Sequence, residues 1–290
     1  MRSGSLCCNT QTFHKFIIAY YPFFVNGKID KSLDHLTPIM GRKENNMKKR
    51  NNLARCLNLN YLELTNKTTA CGEMDMPALF CNTKQYPDFL ALYSEPGLYH
   101  HTERTAVCFY EFDSVFDGKK GLYTAIHYGD ANRLSYFKQR FKGVRYFISP
   151  DYSLLGDIHT IENIYRIFMS RVVAIWLIKE LGAIVIPNIS FPSENYCKIA
   201  LNGLEKCSVV AISTKGHISN FEEQERLRKN IQLTVNTLNL EAIIVYDVCG
   251  TDSTTLDIFS YAIEKGIKVI IPDNTLKRRN VGHFMQKAVG

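Results

Sequence analysis

The residues of this chain best equipped for chemistry follow short apolar runs. Six such runs recur: Ala106–Tyr110, Val144–Ile148, Ala183–Ile186, Ser208–Ile212, Ala242–Tyr246 and Lys268–Ile271. Polar residues come after each. They are Glu111 and Asp113, then Asp151, Tyr152 and Ser153, then Asn188 and Ser190. Ser213, Thr214, Lys215 and Gly216 follow the fourth run, Asp247, Gly250, Thr251 and Asp252 the fifth, Asp273 and Asn274 the sixth. Asp151 and Asp247 are the candidate catalytic residues, because carboxylates gathered at one edge can exchange protons or hold a divalent cation. Tyr152, Ser153, Arg166, Ser190, Ser213, Thr214, Lys215, Gly250, Thr251 and Asp252 are the candidate ligand-binding residues.

Two stretches suit a phosphate. In Cys249–Thr255 and in Ser213-Thr214-Lys215-Gly216, main-chain N–H groups, hydroxyls and one lysine all favour an anion. Neither follows the Walker or the dinucleotide pattern. A hydroxyl-rich helix start is equally suited to plain capping. No His, Cys, Asp or Glu spacing marks a metal site, so no metal ligand is assigned; a bound divalent metal stays open as a cofactor. Arg166 needs a partner if it is buried, with Asp151 or Asp157 the nearest candidates; otherwise it is free to bind an anionic ligand.

The elements that must position these residues can be read from the pattern. The six runs are short, β-branched or aromatic, and apolar on consecutive positions, as strands covered on both faces are. Between them lie helix-length segments at 132–141, 161–181, 194–204 and 221–238, and one opened by Ser253 or Thr254 and running to Lys265. In the second, Ile161, Ile164, Phe168, Val172 and Ile175 recur at helical spacing, and Gly182 supplies a stop. Trp176 reads as core. The alternation predicts an α/β protein with a mostly parallel sheet of about six strands and helices on both faces. A partial or complete β/α barrel is the alternative, since periodicity carries no strand order. Either way, ligands belong beyond the carboxyl ends of the strands.

Residues 1–100 read as a basic, irregular N-terminal region and 101–290 as the α/β domain. The formal charge of +7 comes from the first 60 residues, with ten Lys/Arg against three Asp/Glu; the rest is balanced. Arg42, Lys43, Lys48, Lys49 and Arg50 are candidate contacts to a nucleic-acid backbone, or a solvated linker. The nine cysteines form no CxxC pair, which points to a reducing cytoplasm. The apolar segment Phe16–Val25 is ten residues long and broken by Pro22, too short to span a bilayer, so no membrane partner is expected.

Several motifs in fixed order carry a resemblance. They are Ser149-Pro150-Asp151-Tyr152-Ser153, Asn163-Ile164-Tyr165-Arg166, Val185 to Phe191, Ser208 to Gly216, and Glu241 to Tyr246. Over roughly residues 105–247 the chain resembles the family known as domain of unknown function 4417. Phe168 and Phe191 stand where that family favours an arginine and a tryptophan. The resemblance implies a phage or mobile-element setting and no particular activity. Asp247 through Asn274 is similar, over a short stretch, to nucleoside deoxyribosyltransferase-like Rossmannoid proteins, which implies a polar turn that grips ribose or phosphate. Together these readings lead to the expectation of a nucleotide or nucleic-acid partner.

Overall fold

A computed structural model describes residues 56–281, all within one unit of the chain, 48–290. A four-residue helix α1 (Leu62–Thr65) and a small antiparallel hairpin, β1 (Ala70–Cys71) and β2 (Met76–Pro77), come first. The parallel strands follow: β3 (Phe89–Leu92), β4 (Thr105–Cys108), β5 (Tyr146–Ile148), β6 (Ile184–Ile186), β7 (Val209–Ser213), β8 (Ala242–Tyr246), β9 (Lys268–Ile270) and β10 (Asp273–Asn274). The helices between them are α2 (Asp113–Phe116), α3 (Leu122–Tyr128), α4 (Ala131–Arg140), α5 (Thr160–Leu181), α6 (Cys197–Leu201), α7 (Phe221–Thr237), α8 (Asp252–Ile258) and α9 (Ser260–Glu264).

The expected α/β fold with parallel strands is present, and hydrogen bonding closes it into a ring. One sheet runs β10-β3-β4-β5-β6 and another β7-β8-β9, parallel throughout. A bridge between Asn188 and Ala211 joins them: Ile189 N–H donates to Ala211 O at 2.8 Å, and Ala211 N–H to Pro187 O at 2.8 Å. At the other end only Ile271 and Pro272 separate β9 from β10, so the last strand position meets the first. Contact across the interior agrees with this. The rings of Tyr110 and Tyr246, beyond β4 and at the end of β8, stack at 4.6 Å although those strands are not neighbours. The arrangement is therefore the β/α barrel held as the alternative, and the helices lie around the ring rather than on two faces of an open sheet.

Burial explains the apolar runs. Every residue of β4, β5, β7 and β8 is buried, between ring interior and helices. Helix α5 carries the longest packed face, with Val172, Ala174, Ile175, Trp176 and Leu177 at 2% exposure or less. Gly182 ends it in the left-handed conformation, φ 63°, which glycine adopts without a Cβ penalty. Ile161, expected on the packed face, is exposed because it sits in the first turn, above the ring's edge. Asn220 caps α7, its side-chain oxygen accepting from Glu223 N–H at 2.9 Å.

The sequence reading contains neither the small elements α1, β1, β2 and β10 nor three that build the ring and its flank, β3, α2 and α3. Strand β3 lies ahead of the change of character near residue 100, so the ring begins about a dozen residues earlier than that boundary. Helices α2 and α3 fill the connection from β4 to α4 and are short, four and seven residues, with too few turns to show a period. The basic residues Arg42, Lys43, Lys48, Lys49 and Arg50 lie outside the described residues.

Candidate functional site

Parallel strands bring their carboxyl ends to one mouth. There, four elements assemble a polar cluster. Asp151, half-buried after β5, accepts from the Asn188 amide nitrogen at 2.7 Å. Asn188, after β6, is fixed in turn: its side-chain oxygen accepts from the Tyr110 hydroxyl at 2.9 Å, and its own N–H donates to Ser149 Oγ at 2.9 Å. Lys215, after β7, donates from Nζ to Tyr110 O at 2.6 Å and stays exposed. It makes no ion pair among the described residues. Its N–H donates to Ser213 Oγ at 3.0 Å, which explains why that buried serine closes the strand. The Tyr246 hydroxyl is buried without a hydrogen-bond partner among the described residues.

Electrostatics single out Asp151. Burial pushes its carboxyl up to about 6; Asp113 adds to the rise, while the Asn188 amide and Lys215 oppose it. One oxygen is held by Asn188, and Oδ2 carries no hydrogen bond among the described residues. Two small cavities, about 30 and 20 Å³, flank this carboxyl and share Asp151, Asn188 and Ser190 in their walls. Each has room for about one water. His217 lines the second, and burial lowers its pKa, so it is neutral near pH 7.

Asp247 is the opposite case. It is fully buried, and Oδ1 accepts from Thr255 Oγ1 at 2.8 Å, Cys249 N–H at 3.0 Å and Thr214 Oγ1 at 3.3 Å. Its Oδ2 makes no hydrogen bond but lies 3.2 Å from Lys277 Nζ. Lys277 also donates to Asp252 at 2.6 Å, and although burial opposes it, these two carboxylates hold its pKa above the usual lysine value. Asn274 Nδ2 and Asn280 Nδ2 seal the same corner, donating to Asp247 O and Val248 O. Asp247, Thr214 and Asp252 thus fasten the segment after β10 to the end of β8.

The remaining candidates divide. Thr251 is the N-cap of α8, accepting from Thr254 N–H and touching the Ser253 and Thr254 hydroxyls at 3.0 and 2.9 Å. It takes the capping role expected of Ser253 or Thr254, and Gly250 precedes it. Arg166 pairs with Asp113 and with Glu162, the latter at 3.0 Å, rather than with Asp151 or Asp157. Ser153 donates from N–H and Oγ to Asp113. Tyr152 is buried and donates to Asp117 Oδ2 at 2.8 Å. The mouth therefore unites Asp151, Ser190, Ser213 and Lys215 with Asn188, which the sequence places after the third run without marking it as a ligand-binding candidate, and with Tyr110, which is missing from the sequence-based set. Tyr110 left a usable signal, a polar-tipped aromatic at the last position of an apolar run.

Among the described residues no three His, Cys, Asp or Glu side chains stand close enough to hold a metal ion, the carboxylates being dispersed onto Asn188, Lys277 and Arg166. No described helix is long and apolar enough to cross a membrane. No curated protein matches the chain. Residues 69–264 match the model of a family described as Domain of unknown function (DUF4417), a span that takes in Asp151, Asn188, Lys215 and Asp247, and the chain belongs to that family.

Proposed function

We propose that the barrel mouth binds a nucleotide, with Lys215 receiving its phosphate and Asp151 exchanging a proton with it. The observation that carries this reading is Asp151 itself. It is a carboxyl held near pH 6 with one oxygen that makes no hydrogen bond among the described residues, at the same mouth as an ammonium that has no carboxylate partner among them. A group with a pKa close to neutrality can both give and take a proton. Asn188, locked by Tyr110 and Ser149, keeps that carboxyl in place. The turn at 249–255, where the expected deoxyribosyltransferase likeness would put a phosphate, is taken up in capping α8, which favours Lys215 as the phosphate's partner in this reading. A phage or mobile-element role in the cytoplasm belongs to the same reading.

A second reading rests on the charge excess of the first 60 residues, which suits a nucleic-acid backbone. One experiment separates the two. Mono-, di- and triphosphate nucleotides and a short DNA duplex are titrated, with and without Mg²⁺, against the full chain, Lys215→Met and a chain lacking residues 1–55. Under the first reading a nucleotide raises Tm, Lys215→Met abolishes the rise, and the truncation leaves it intact. If no nucleotide shifts Tm, the first reading fails. Duplex binding that falls steeply with salt and vanishes on truncation supports the second.

A further inference from the structure

Outside the ring, beside the mouth, α2, α3 and the start of α5 enclose a cleft of about 390 Å³ that the reading above does not use. Such a volume suits a small molecule. Its walls combine two features. The first is aromatic. The Tyr123 and Tyr165 hydroxyls meet at 2.8 Å with their rings edge to face, and Tyr128 packs against His127 at 4.7 Å. Tyr128 and Tyr165 remain 60% and 40% exposed, so each offers uncovered ring surface, although Tyr165 also stacks on Phe168 at 6.4 Å.

The second feature is charge. Three carboxylates, Asp113, Asp117 and Glu162, line the cleft with one guanidinium, Arg166. That guanidinium is already spent on Asp113 and on Glu162 Oε1, which leaves Glu162 Oε2 without a hydrogen bond among the described residues. His127 adds no positive charge at neutral pH, because burial lowers its pKa. Negative potential together with open aromatic faces repels phosphate and attracts cations.

We propose that this cleft is a binding site for a small organic cation, an alkylammonium or alkylguanidinium. The charged head lies between the Tyr165 ring and Glu162 Oε2, and the alkyl chain runs along Met169, which lines the same cleft. The site is independent of the reading of the mouth. It differs from it in charge, and it shares only the edge formed by Tyr152 and Arg166 with the cavity beside Asp151.

The test is isothermal titration of the full chain with agmatine, spermidine and tetramethylammonium, and with adenosine and inorganic phosphate as contrasts. The variants are Tyr165→Leu, Glu162→Gln and Lys215→Met. Both cleft residues are exposed, and near-ultraviolet circular dichroism verifies each fold. An amine binds one to one, Tyr165→Leu and Glu162→Gln each weaken it by about 3- to 30-fold, and Lys215→Met leaves it unchanged. The proposal is overturned if no amine binds at millimolar concentration, if the two cleft variants bind as well as the parent, or if Lys215→Met abolishes amine binding.

Discussion

Asp151 and Asp247 occupy equivalent places in the chain, each just beyond a buried parallel strand, and they have opposite fates. Asp247 is surrounded by donors and a lysine that belong to the fold, so its charge is consumed in fastening the C-terminal segment. Asp151 has one amide donor among the described residues and two water-sized cavities beside it, so burial is incompletely offset and its pKa rises to about 6. A strand-tip carboxylate is thus available for chemistry in proportion to what its neighbours leave unpaired. Sequence position alone does not separate the two.

The largest expected effect comes from breaking the saturated side. Asp247→Ala leaves the Thr255, Cys249 and Thr214 donors without their buried acceptor and Lys277 with Asp252 alone, and should cost about 3–5 kcal/mol in urea unfolding. Lys277→Met, which removes the ammonium that faced Asp247, should recover part of that loss in the double variant; a double variant no more stable than Asp247→Ala would refute the coupling. Asp151→Asn should do the reverse. The folded pKa of Asp151 lies above its unfolded value, so its contribution to stability is complete below about pH 4 and is lost as pH rises through about 6. Removing the carboxyl should flatten that part of the stability profile and leave the variant about 1–2 kcal/mol more stable at pH 7, a figure reduced for partial exposure. A profile of unchanged slope would show that Asp151 is not the group concerned. The smallest effect sharpens the same contrast. Asn188→Ala removes the amide that favours the ionised carboxyl, so the Asp151 midpoint, followed by carboxyl ¹³C NMR, should move further above 6. A downward shift would mean that Asn188 is not what restrains it.

Much of the barrel could be read in advance because the relevant signals are local. The six apolar runs fall on β4 to β9 to within three residues, and α5 and α7 follow their apolar spacing and end signals. Ring closure was not legible, since it depends on β3, a four-residue strand in turn-rich sequence, meeting β10, a two-residue strand. The site was legible to the level of residue type and no further. Ser213, Ser190, Lys215 and Asp151 do meet at the mouth, whereas Arg166, Ser153 and Tyr152 are drawn to Asp113 and Asp117, whose short helix α2 gives no periodic signal. Partner choice depends on distances between elements far apart in sequence, and one chain does not record these.

The closing pair β3–β10 has a consequence for how this family's span can exist as a molecule. The matched stretch stops at residue 264, four positions before β9 begins. A fragment cut at that boundary would be a split cylinder. One flank of β8 and one of β3 would present bare main-chain amides and carbonyls, an invitation to pair with a second fragment or to precipitate. Residues 268–274 are therefore the stave that makes the vessel watertight.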